Sequence, residues 1–355
     1  MTSSFSRVPV VSLAPWSGDD DDRRALADEV RRHCHEIGFL TVVDHGVDAR
    51  LISDVFDTMR RLFALPEAEK RRIDKHNSPH FRGWEATGSE YTNNRRDVRE
   101  QVDLWSEWPA RPAGTQPAYL RLLGPNQWFP EEVLPGYRDL LGRWFDQMGG
   151  LARGLMAVMA VGLGLAPDAF EERFGAERMS LTKLIHYPPT PRGEAGVNAH
   201  HDAGFLTILA PGETPGLQVQ NGDGDWVPVE AAPGSLVINL GEMLQGMTAN
   251  YFVATPHRVI TDTERYSAAY FHGPALDTPL VPMPLAAGLL DAVRASERHA
   301  TAGFMASRDE TLAGVADMAS GHRPDTYGEQ IWNYFSRSYP DLVAAHHPDL
   351  VTSAG

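Results

Sequence analysis

The chain has 355 residues, of which 42% are hydrophobic and 22% charged, the composition of a globular protein large enough for one large domain or two. Its formal net charge of −15 lacks the basic footprint that a phosphate-backbone binder needs, so a nucleic-acid partner is excluded. The single cysteine, Cys34, rules out an internal disulfide and thiolate zinc sites, and leaves His, Asp and Glu as metal ligands.

The first residues lack the long apolar stretch of a signal peptide. The longest apolar region, Leu151 to Leu165, is broken by Arg153 and glycines and reads as a buried helix, not a membrane span. A cytoplasmic, reducing location without a membrane partner is the expectation.

In chain order, Val8 to Leu13 reads as a short strand. The run Asp19 to Asp22 reads as a solvated loop leading to a helix over Asp22 to Ile37, with Cys34 packed inside it. Gly38 to Val43 reads as a strand, Asp44-His45-Gly46 as a turn that gives His45 a structural role, and Asp48 as the N-cap of a helix over 49–63. A short helix begins at Pro66. Residues 76–128 are rich in loop signals, and so long an irregular stretch in a compact domain points to a lid or binding loop. Glu131 to Leu165 reads as one long or broken helix.

Strands are then expected over 181–187, 205–209, 216–220, 226–229, 235–240, 251–253, 257–262 and 266–272, separated by turns such as Asn221-Gly222-Asp223-Gly224. Short, evenly spaced strands with such turns suggest a sandwich or barrel. Helices follow around 286–300 and 327–338. The expected architecture is a mainly β core of jelly-roll type with flanking helices: an N-terminal helical or mixed region (1–120), a long helical segment (121–175), the core (176–285) and a C-terminal helical tail (286–355), forming one catalytic unit.

The strand series carries His200-His201-Asp202, then Thr255-Pro256-His257-Arg258-Val259, then Arg265-Tyr266-Ser267. Residues i and i+2 of a strand share a face, so His200 and Asp202 point together and His201 points away. His257 is the best candidate for a third ligand. Two imidazoles and one carboxylate with open positions form the arrangement used by non-haem Fe(II) oxygenases. Arg265 and Ser267 also share a face. A guanidinium with a hydroxyl two residues on makes a carboxylate pocket. Together with an open metal, this pocket suits a 2-oxo acid bound at both ends.

These segments resemble the isopenicillin N synthase-like family of Fe(II)/2-oxoglutarate-dependent oxygenases. Besides the residues above, the likeness is carried by Val8 to Leu13, Gly38 to Val47, Phe81-Arg82-Gly83, Tyr187-Pro188-Pro189, Ala199 to Leu209, Gly216 to Val219 and Asn239 to Gln245. The resemblance implies a double-stranded β-helix with Fe(II) on His200, Asp202 and His257. It also implies 2-oxoglutarate anchored by Arg265 and Ser267, with Tyr187 at a position that contacts the co-substrate. The family couples decarboxylation of 2-oxoglutarate, with O2, to hydroxylation, desaturation or cyclisation of a small molecule. Ile185 and His201 depart from common family residues without removing a ligand.

Gly88 to Thr92 and Tyr334 to Pro340 resemble segments of the bacterial ethylene-forming enzyme. That likeness implies substrate contacts at Glu90, Thr92 and Arg337, and Phe205 and Phe271 of the core are further candidates. The substrate is expected to belong to specialised or amino-acid-derived metabolism. Two rival readings are an Fe(II) oxidase or oxidative cyclase that needs no 2-oxoglutarate, and a jelly-roll binding protein whose metal is structural.

Overall fold

Strands with one apolar face must bury it against something, and here the two faces of one large sheet find different partners. The computed structural model describes residues 4–93, 95–190, 194–296, 299 and 324–350. In the first half lie β1 (Val10–Ser12), β2 (Phe39–Val43), β3 (Gly83–Glu85), the small hairpin β4 (Tyr91–Thr92) and β5 (Arg95–Arg96), and β6 (Glu100–Trp105). The core adds β7 (Leu181–Tyr187), β8 (Val197–His200), β9 (Leu206–Ala210), β10 (Leu217–Gln220) and β11 (Trp226–Pro228). It ends with β12 (Leu236–Leu240), β13 (His257–Val259) and β14 (Arg265–His272).

The main sheet runs β1-β2-β12-β9-β14-β7-β6-β3, and a second sheet runs β11-β10-β13-β8. Alternation sorts the side chains of the main sheet. Leu184, Ile208, Ile238, Ala268 and Tyr270 join one apolar cluster with α1 (Asp20–Glu36), α2 (Ala49–Phe63) and α4 (Tyr137–Gly162). Phe39, Ile185, Tyr187 and Val237 join a second cluster with Val197, Val219 and Val259 of the smaller sheet. The space between the sheets is therefore lined by the second set, and this face holds the site. The short helix α3 (Glu67–Lys70) precedes β3, and α5 (Ala169–Phe174) follows α4. After β12 comes α6 (Glu242–Met247), and after β14 come α7 (Ala287–Arg294), α8 (Tyr327–Ser338) and α9 (Pro340–His346). No helix among the described residues is long and apolar enough to cross a membrane.

Several boundaries differ from the sequence expectation. The Asp run is not a loop: Asp19 accepts from the Asp21 and Asp22 amides at 2.9 and 3.0 Å, and Asp20 begins α1. Asp48 caps α2 as expected, accepting from the Arg50 amide at 2.8 Å. The helix expected from Glu131 starts at Tyr137 and runs unbroken to Gly162. Residues 251–253 form no strand. Ala249 and Asn250 have φ of 50° and 64°, and the Val253 amide turns to the Cys34 carbonyl at 3.1 Å. The largest departure is β6, inside the stretch read as loop. Its alternate residues Gln101 and Asp103 are polar, yet both are buried. The helix expected over 286–300 is α7 as far as Arg294; residues 297, 298, 300–323 and 351–355 lie outside the described residues.

Candidate active site

β13 and β8 pair so that His257 stands opposite His200. Asp202 lies two residues past β8, in the turn to β9. Its Oδ1 is 3.6 Å from His200 Nε2 and 3.5 Å from His257 Nε2. The three residues offer one ligand atom each within 4.8 Å of one another. Both imidazoles are oriented from behind: His200 Nδ1 donates to the Asn198 carbonyl at 2.8 Å and His257 Nδ1 to the Thr255 carbonyl at 3.2 Å. A carbonyl oxygen only accepts, so each Nδ1 carries the proton and each Nε2 is left to face the shared point. His201 is not part of this group. Its side chain is turned toward Glu242, 4.0 Å from Oε1.

Burial pushes His257 down to about 4, with the neighbouring His200 adding to the effect. For His200, burial works against the cation, but the hydrogen bond and charge of Asp202 prevail and raise it. Asp202 is itself buried, a cost outweighed by His257 and His200, which hold it well below the usual carboxylate range. Burial, and then the charge of Asp202, raises Glu242 to about 7. Two imidazoles and one carboxylate, each with a lone pair turned to one point, are the donor set of an open Fe(II) site.

Tyr187, Arg265 and Ser267 also come together. Arg265 is paired with Tyr187 across β14 and β7, and Ser267 with Ile185. Arg265 is 1% exposed, and burial lowers its pKa. Two of its nitrogens are spent on backbone: Nε donates to the Thr214 carbonyl at 3.2 Å and Nη2 to the Pro211 carbonyl at 3.1 Å. Among the described residues, neither Nη1 nor the buried Ser267 Oγ has a hydrogen-bond partner. Buried donors left unmade are costly, and a carboxylate would satisfy both. Gly216 makes room for the arginine. It has φ +147°, and a Cβ there would lie 2.8 Å from the Ile260 carbonyl oxygen and 3.4 Å from Arg265 Cδ.

The substrate candidates are placed differently from one another. Glu90 accepts from Arg99 at 2.8 Å, from Lys183 at 3.3 Å and from the Tyr334 hydroxyl of α8 at 3.4 Å. Arg99 and Lys183 hold its carboxyl far below the usual range, against its burial. Thr92 donates to Asp97 at 2.6 Å, and Asp97 in turn accepts from the Asn198 amide at 3.1 Å, two residues before His200. Phe271 is half-buried on the same face of β14 as Arg265 and Ser267. Phe205 does not share that face. Its ring packs on Phe174 and Tyr327, at 5.0 and 5.7 Å, in the helix-facing core. Arg337 is exposed in the last turn of α8.

Sequence reasoning gave no role to Thr207 and Asn239, which both hydrogen-bond Asp202, or to Arg99 and Lys183. The available signal was a single polar residue in each of two otherwise apolar strands, β9 and β12.

Comparison with known proteins agrees with this geometry. Residues 8–131 match the family model described as the N-terminal region of non-haem dioxygenases in morphine synthesis, and residues 178–274 match that of the 2OG-Fe(II) oxygenase superfamily. A 2-oxoglutarate-dependent dioxygenase of Dothideomycetidae sp. is 33% identical over 284 residues, covering 77% of this chain and 76% of its own. A homoarginine-6-hydroxylase of Glycine max is 30% identical, covering 80% and 90%. The crystal structure of a full-length Neurospora crassa protein in complex with alpha-KG and thymine shares the fold, with a TM-score of 0.70 at 22% identity, over 81% of this chain and 94% of that one. Matched in sequence over three-quarters of both chains and not in fold alone, the chain belongs to the 2OG-Fe(II) oxygenase superfamily, enzymes that use iron, dioxygen and 2-oxoglutarate.

Proposed function

We propose that His200, Asp202 and His257 hold the Fe(II), and that Arg265, Ser267 and Tyr187 hold the far carboxylate of 2-oxoglutarate. The observation that carries this reading is the pair of buried, unpartnered donors, Arg265 Nη1 and Ser267 Oγ, on the face that also looks toward the triad. The bound iron supplies activation of dioxygen coupled to loss of CO2 from the keto acid. The chain supplies orientation. Asn198 and Thr255 fix the imidazole tautomers. The Tyr187 ring lies against the guanidinium, 4.9 Å from its centroid, and shields the ion pair from water.

The oxidised substrate is a small molecule of amino-acid-derived or specialised metabolism. The homoarginine hydroxylases among the relatives support the amino-acid class. So does the charged wall of Glu90, Arg99 and Lys183, linked through Asp97 and Asn198 to the metal ligands. Glu90, Thr92 and Phe271 line the substrate's approach, with Arg337 on the helix that closes it; Phe205 acts only through packing. The protein works in the cytoplasm, in keeping with one buried cysteine, and its net charge of −15 suits a small-molecule partner and not a nucleic acid. The whole chain acts as one catalytic unit, because β1, β2, β3 and β6 complete the sheet that carries Arg265 and Ser267.

The test is anaerobic titration with Fe(II) and 2-oxoglutarate, followed by a screen of amino acids and their derivatives for succinate release. The expected result is a visible charge-transfer band on adding 2-oxoglutarate to the iron-loaded enzyme, and succinate formed with product carrying one more oxygen or two fewer hydrogens. No band in the wild type, with unchanged metal binding in His257→Ala, would overturn the assignment.

A further inference from the structure

The turn after β8 sends Asp202 back toward the main sheet. There Asn239 of β12 and Thr207 of β9 are directly paired across the ladder. Both side chains reach the same atom. Asn239 Nδ2 donates to Asp202 Oδ2 at 2.7 Å, and Thr207 Oγ1 donates to it at 2.5 Å. The Asp202 backbone is held as well, its carbonyl accepting from the Glu242 amide at 2.8 Å. Thr207 and Asn239 are 5% and 3% exposed. Each is the lone polar residue of its strand, Leu206–Ala210 and Leu236–Leu240, so the fold itself does not call for them.

A carboxylate oxygen has two lone pairs in its plane, and on Oδ2 both are taken by these donors. Only Oδ1 remains for a metal, and it is the oxygen that stands 3.6 and 3.5 Å from the two Nε2 atoms. A carboxylate left unrestrained can bind through one oxygen or both. A second oxygen from Asp202 would occupy a position that the chelating keto acid or dioxygen needs. We propose that Thr207 and Asn239 are positioning residues that confine Asp202 to ligation through Oδ1 and so keep the metal's remaining positions open. The proposal rests on the reading of Asp202 as an iron ligand.

The experiment compares Thr207→Val, Asn239→Ala, the double variant and Thr207→Ser. Each is loaded with Co(II), whose visible absorption reports ligand number, and titrated anaerobically with 2-oxoglutarate. The expected result is an altered Co(II) spectrum in the valine and alanine variants. Affinity of the metal-loaded enzyme for 2-oxoglutarate falls about tenfold for each lost hydrogen bond. Thr207→Ser keeps its hydroxyl and restores the wild-type spectrum, an outcome that mere packing at position 207 would not give. An unchanged Co(II) spectrum and unchanged 2-oxoglutarate affinity in the double variant overturn the proposal. If the double variant does not fold, the contrast between valine and serine at position 207 decides in the same way. His257→Ala keeps the two readings apart. If it binds Co(II) like the wild type, the ligand assignment fails. If it loses the metal while the double variant is unchanged, only the positioning role fails.

Discussion

Arg265 and Tyr187 face each other across the β14–β7 ladder, the guanidinium 4.9 Å from the ring centroid. The contact holds the arginine's plane while two carbonyls take Nε and Nη2, leaving Nη1 as the free edge. A lysine ammonium keeps the charge but has no fork. Arg265→Ala is expected to raise the KM for 2-oxoglutarate about 100-fold, the loss of one charge-assisted contact in a buried site. Arg265→Lys should fall between that variant and wild type. Succinate formation at varied 2-oxoglutarate is the measurement, and an unchanged KM in the alanine variant would remove Arg265 from the co-substrate site.

His257→Ala removes one of three donors and is expected to abolish stoichiometric Fe(II) binding. His201→Ala should leave it intact, since His201 is turned toward Glu242. Metal analysis after anaerobic loading and desalting checks both. Loss of iron from the His201 variant would show that strand alternation had selected the wrong imidazole.

Metal affinity should depend on pH with a defined sign. In the metal-free protein the His200 pKa is raised, burial being overcome by Asp202. His200 therefore keeps its proton at pH values where a free imidazole has lost it. The metal must displace that proton, so affinity falls as pH falls through the neutral range. One competing proton gives at most about a tenfold loss per pH unit, reached once the pH is below the raised His200 pKa. Co(II) dissociation constants across that range are the check, and a flat profile would contradict the coupling.

Lys75 is fully buried, and its Nζ reaches Glu85 at 2.5 Å, Asp103 at 2.8 Å and the Tyr339 hydroxyl at 3.0 Å. Lys75→Met leaves the buried Glu85 without its cation and Asp103 with Lys183 alone. The expected cost is about 3–5 kcal/mol, seen as a lower urea midpoint. A shift of less than about 1 kcal/mol would mean that Lys183, 3.3 Å from Asp103, and the hydrogen bonds from Gln101 and Tyr339 to Glu85 suffice for the two carboxylates.

The same charges explain what sequence patterning missed. β6 reads Glu-Gln-Val-Asp-Leu-Trp, and a buried face of Gln101 and Asp103 has the polarity of a surface strand or loop. Partners distant in sequence make that face an interior one: Lys75 and Lys183 for Asp103, and Glu85 for Gln101. The proposed triad was legible because its members are short-range in pattern: His200 at a strand end with Asp202 two residues on in the turn, and His257 after a proline at the start of another strand. Arg265 and Ser267 were legible for the same reason. For Phe205 the sequence offered membership of the core and no face, because the residue sits in the bend before β9, where alternation does not run. The ring falls on the helix side, against Phe174. Thr207 and Asn239 were visible as polar residues in apolar strands, but their common target requires the register between β9 and β12.

The triad's imidazoles stand on the four-stranded sheet, and Arg265 and Ser267 on the eight-stranded one. On the proposed assignment, a keto acid gripped at one end by the metal and at the other by the arginine would be a strut between two layers. Its binding stiffens the gap itself, and amide protons of β8 and β13 should exchange more slowly in the loaded enzyme than in the enzyme with metal alone.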